Sequence, residues 1–160
     1  MTTLNATSFA AMRAALEHHA TGTGGVPALP AGWRPAPVSQ VVAIADAYVC
    51  LLEHRDSGRP SLTPCDALGQ VLGPLAQRFH PGLRAALVRS LGVYPPGQLV
   101  ELDDGSVIRS LGGTPEDPAR PVVEQRAGEN AEWSAGPLPP ERSVRRALPL
   151  SEWPGSSQAA

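Results

Sequence analysis

The sequence predicts a mainly α protein: about four helices, then a small β-hairpin or three-strand appendage, then a disordered C-terminal tail. Three observations carry that expectation. Between Val38 and His54, the residues Val41, Ile44, Ala45, Tyr48, Leu51 and Leu52 recur at helical spacing. Two Xaa-Pro starts, Thr63-Pro64 and His80-Pro81, open further helices. Only after Val93 does the composition turn toward strands, around an Asp104-Gly105 turn.

Residues 6–20 are rich in helix formers, with Phe9, Met12, Leu16 and His19 at helical spacing, and read as a helix ending near His19. Proline and glycine crowd residues 21–37 and exclude a regular element across most of that span, leaving a loop in which Trp33 is a candidate anchor. The second helix, from Val38 to His54, is apolar enough to be largely buried. Thr63 is an N-cap with Asp66 in the capping-box position, starting a third helix that reaches about Gln77. In the fourth, Leu83, Leu87, Val88 and Leu91 form the stripe and Gly92 closes it. Gln98 to Leu102 and Ser106 to Leu111 flank the Asp-Gly turn as a hairpin, and Pro121 to Gln125 adds a third strand. Past Ala127, proline, glycine, serine, glutamate and arginine dominate, so the tail is expected to be disordered. The expected division is therefore a helical region over 1–92, a β-rich appendage over 93–126 and a disordered tail over 127–160.

At 160 residues the chain supports one small core. A formal net charge of −2 gives no electrostatic case for nucleic acid or an anionic membrane as partner. No apolar run is long enough to span a bilayer, and Arg13, Glu17 and two histidines interrupt any leader-like stretch, so a cytoplasmic location is expected. The two cysteines, Cys50 and Cys65, lie in successive helices without ligand-type spacing and read as buried free thiols.

In order along the chain, several segments resemble HD-GYP signalling phosphohydrolases. His18-His19-Ala20-Thr21-Gly22-Thr23-Gly24-Gly25-Val26-Pro27 is similar to the family's H-H-E-x-x-D-G-x-G-Y-P signature, and Val42-Ala43-Ile44-Ala45-Asp46-Ala47-Tyr48 to its V-A-V-A-D-x-Y helix. Arg59-Pro60, Leu62-Thr63-Pro64, Phe79-His80-Pro81 and Leu91-Gly92-Val93-Tyr94-Pro95-Pro96-Gly97 continue the likeness, which spans about residues 12–125. The resemblance implies a truncated HD-domain-like helical bundle. It also implies a metal-dependent phosphodiesterase ancestry acting on cyclic di-guanylate, with iron or manganese held by several His and carboxylate ligands.

On matched positions the resemblance carries over three ligands only, His18, His19 and Asp46, read as a metal-binding vestige. The His-Asp dyad that defines the family has no counterpart, Ala20 stands where the family has glutamate, and Val49 where it has the second helix aspartate. From the residues alone, His18 and His19 read equally as a pair at a helix C-terminus, and Asp46 as a capping or solvent-facing carboxylate. What this implies is a non-catalytic module in cyclic di-guanylate signalling, with no cofactor expected beyond residual iron or manganese. The alternative is a phosphodiesterase active only within a larger chain or assembly. A truncated product without function is the third reading. The loop Gly24, Gly25, Val26 and Pro27 corresponds to the family's partner-binding segment, so a GGDEF-type signalling protein is an expected partner. A protein partner or self-association through the surface left by missing helices is expected as well.

Overall fold

A computed structural model describes residues 9–19, 32–53, 62–126 and 133–152. The loop at Gly24, Gly25, Val26 and Pro27, together with His54 and the Arg59-Pro60 step, lies outside the described residues. The described residues form four α-helices: α1 (Phe9–Glu17), α2 (Pro37–Glu53), α3 (Pro64–Leu72) and α4 (Pro81–Leu91). Five strands follow: β1 (Leu99–Leu102), β2 (Val107–Gly113), β3 (Pro121–Arg126), β4 (Trp133–Pro137) and β5 (Val144–Leu148). They make one antiparallel sheet in the order β4-β3-β2-β1-β5.

This overturns the mainly α expectation. A five-stranded sheet stands beside the four helices, and the stretch expected to be a disordered tail supplies two of its strands. The physical reason lies in pairing. Both β4 and β5 are edge strands, poor in β-branched residues, whose order comes from their neighbours and not from their own propensity. Arg146 stands opposite Glu101 in the β1–β5 register and bonds it at 2.7 Å, with Arg145 on the other oxygen at 3.1 Å. Arg142 reaches the Asp103 carboxylate at 3.0 Å and also pairs with Asp104. The charges that made the tail look solvated are partners of the β1–β2 hairpin.

The helices pack where their stripes predict. Ile44 and Tyr48 of α2 meet Ala67, Leu68 and Val71 of α3 and Phe79, with Leu83, Leu87 and Leu91 of α4 partly buried against them. Fully burying one such aliphatic side chain contributes about 1.5–3 kcal/mol. α3 stops at Leu72, short of Gln77, because Pro74 has no N–H to continue the ladder; a single 3₁₀ turn at Ala76–Arg78 follows. α1 turns its face opposite to the usual sense. Ala14 and Glu17 are buried, whereas Phe9, Met12 and Leu16 are 71%, 52% and 60% exposed.

Inside the sheet, Val100 and Leu102 of β1, Val123 of β3 and Leu138 after β4 form a second core, closed by Ile108 and by Val144 of β5. Side chains from near both edges share that core, so the sheet curls around it. A break in the β2–β3 register at Ser110 and Gly112 provides the bend.

Two joints tie helices to sheet. At the N-terminus of α3, Pro64 has no donor, the Asp66 N–H bonds Thr63 Oγ1 at 3.1 Å, and the Cys65 N–H bonds the Gln98 side-chain oxygen at 2.9 Å. The Gln98 amide also donates to the Leu148 carbonyl at 2.7 Å, so this buried side chain connects α3 to β5. At the end of α4, Gly92 has φ +82°, and a Cβ there would lie 2.3 Å from the Gly113 nitrogen. Glycine is required by the backbone angle and by the crossing.

Candidate functional site

The C-terminal end of α1 and the middle of α2 build the site. Its anchor is Glu17, which is buried and surrounded by donors. Oε2 accepts from the Ala36 N–H at 2.8 Å and the Ser39 hydroxyl at 2.7 Å, and Oε1 accepts from Arg13 at 2.8 Å and the Trp33 indole N–H at 3.0 Å. The Ala36 and Ser39 bonds hold its carboxyl down to about 2, against the opposing effect of burial and with help from Arg13 and Trp33. Arg13 also lies over the Trp33 ring, 5.4 Å from its centroid. Because Ala36 and Ser39 flank the start of α2, the carboxylate caps that helix from another element. It fixes α1 against α2, and with it the two residues that follow.

Those residues are His18 and His19, whose ring centroids are 3.9 Å apart. The Nδ1 of His18 lies 2.9 Å from the Ala14 carbonyl oxygen. A carbonyl can only accept, so Nδ1 carries the proton and the lone pair of the neutral ring is on Nε2. His19 Nδ1 stands 3.9 Å from Asp46 Oδ2 on α2. One ligand atom from each of His18, His19 and Asp46 falls within 4.8 Å of the others. The structure thus brings together the three residues the sequence singled out.

Donor atoms around one ion at zinc-type bond lengths stand roughly 3.3–3.7 Å apart. The three side chains therefore need to close by about 1 Å, which part-exposed side chains do by rotation. The bond from His18 to a backbone carbonyl is the outer support that ligating imidazoles use. Two imidazoles and a carboxylate thus fit a single divalent ion.

Other candidates fall elsewhere. His80 caps α4, accepting from the Gly82 N–H at 3.1 Å. Cys65 is partly buried, its thiol pushed up to about 11 by burial and by the nearby Asp66 charge. Cys50 departs from expectation: it is exposed, one helical turn beyond Asp46, with Sγ 3.8 Å from Asp46 Oδ1. A cavity of about 210 Å³ opens beyond Glu17, lined by Arg34, Ser39, Arg78 and Phe79 but by none of the three donors. Glu17 itself escaped the sequence reading, because Phe9, Met12 and Leu16 mark the opposite side of α1. The signal available was its position three residues after Ala14, on the same face.

No family model matches the chain, and comparison with curated proteins and with solved structures likewise gave no match. No helix among the described residues is long and apolar enough to cross a membrane.

Proposed function

We propose that this chain is a degenerate HD-GYP-like protein, non-catalytic by itself, that acts as an interaction or regulatory module in cyclic di-guanylate signalling. The observation that carries this reading is the outward stripe Phe9, Met12 and Leu16 on the helix that leads into the histidine pair. Apolar residues gathered on one helical face are costly to leave in water and suit a protein partner or a second copy. Val38, Val41 and Val49 of the adjoining α2 are exposed as well.

The cluster supports the non-catalytic half of the proposal. Hydrolysis of a phosphodiester by paired metals requires ligands for both ions and a bridging water. The described residues gather three ligands, enough for one residual iron or manganese ion. A GGDEF-type signalling protein is the partner class that the sequence resemblance suggests.

The test is incubation of the purified chain with Mn²⁺ or Fe²⁺ and cyclic di-guanylate, alongside sedimentation of the wild type and a Phe9→Ser/Leu16→Ser variant. No turnover is expected, together with self-association, or binding to a GGDEF domain, that the variant loses. Turnover that disappears on His19→Ala overturns the proposal.

A further inference from the structure

The cavity beyond Glu17 has a chemistry that the three-donor cluster does not use. It holds about 210 Å³ and lies where the lead into α2, the 3₁₀ turn at Ala76–Arg78 and the start of α4 converge. Ala43, Phe79 and Leu83 give it an apolar wall, and Arg34, Arg78 and His80 bring polar groups to it. Among the described residues, neither Arg34 nor Arg78 has a carboxylate partner. Both are nonetheless held in place. Arg34 stands between Trp33 and Ala36, which both donate to Glu17, and the Arg78 guanidinium carbon is 5.9 Å from the ring centroid of buried Phe79. The Gly82 N–H donates to His80 Nδ1 at 3.1 Å, so in the neutral ring the proton is on Nε2, a further donor. Glu17, the carboxylate of the lining, does not cancel this charge: Arg13 neutralises it, and Trp33, Ala36 and Ser39 occupy its oxygens.

We propose that this cavity binds the phosphoryl group of a small phosphate monoester that carries a short apolar body. Two guanidiniums match the charge of about −1.5 to −2 that such a group carries at pH 7, whereas a carboxylate satisfies only one of them. The planar fork of each arginine suits phosphate oxygens, and the His80 Nε2–H adds a neutral donor. The body of the ligand packs on Phe79 and Leu83, out of water. The volume is below the roughly 300–1,000 Å³ of drug-sized ligand sites, so a cyclic dinucleotide does not fit. The site is therefore separate from the signalling role proposed above and stands or falls apart from it.

The site is tested by calorimetric titration of the chain with phenyl phosphate, with inorganic phosphate and benzoate as the two comparisons. Phenyl phosphate is expected to bind one equivalent, and each comparison, lacking either the apolar body or the second charge, to bind at least tenfold more weakly. Arg34→Met and Arg78→Met are each expected to weaken phenyl phosphate binding at least tenfold, whereas Arg120→Met, on the β2–β3 connection, leaves it unchanged. Arg34 and Arg78 are exposed, so methionine at either position leaves the fold intact, and circular dichroism verifies this. No binding of phenyl phosphate, an affinity that survives either arginine substitution, or equal affinity for benzoate or inorganic phosphate each overturns the inference. Turnover of cyclic di-guanylate, by contrast, sinks the functional proposal and leaves this site standing.

Discussion

Trp33 donates its indole N–H to the Glu17 carboxylate at 3.0 Å, closing a contact between residues sixteen apart in sequence. The same carboxylate accepts from Ala36, Ser39 and Arg13, so the start of α2 and the end of α1 are held by one side chain.

That arrangement sets the acid limit of the fold. A carboxyl whose folded value is depressed contributes its stability in full above its ordinary value of 4.5 and loses it as pH falls toward about 2. Unfolding free energy should therefore drop steadily between those two values. Glu17→Gln should lower stability at neutral pH and flatten the profile in this window. Urea titrations at a series of pH values decide it, and an unchanged slope in the variant excludes Glu17 as the cause.

Gln98→Leu removes the partner that the Cys65 N–H and the Leu99 and Leu148 carbonyls share, while roughly keeping the volume. Each unpaired buried group costs about 1–3 kcal/mol, so a loss of about 3 kcal/mol is expected from chemical denaturation. A change below about 1 kcal/mol means that water replaces the amide at that joint.

Gly92→Ala forces a side chain into a left-handed position against the Gly113 backbone. Strain and overpacking together should remove on the order of 3 kcal/mol. Gly105→Ala, also at positive φ but with open space around it, is the control and should lose less. Equal losses contradict the tight crossing.

Arg142→Ala removes the exposed pairing with Asp103 and Asp104 that holds the β4–β5 connection. A small loss of stability is expected at low salt, shrinking as salt screens the wild-type pairs. Proteolysis between Pro139 and Ser143 should accelerate in the variant, and indifference to salt argues against an ionic clasp.

The helices were legible because each carries its own local signal. Thr63-Pro64 and His80-Pro81 place two starts, and both cap side chains bond as those signals require. β1 to β3 were legible from branched residues around Asp104-Gly105. Trp133–Pro137 and Val144–Leu148 were not, since their order depends on partners such as Glu101 and Val123, far away in sequence. At the site, the histidine pair and Asp46 were visible by resemblance. Glu17 was not, because its role arises only once α1 lies across α2.

The Gln98 amide has a consequence for the timing of assembly. It joins Cys65, 33 residues before it, to Leu148, 50 residues after it. During synthesis, Cys65 leaves the ribosome long before its distant counterpart has been made, and long-range closures of this kind are the slow ones. The end of α3 can be closed as soon as Gln98 has been made, but the side chain that closes it is held on its far side only when β5, the last of the five described strands, is in place.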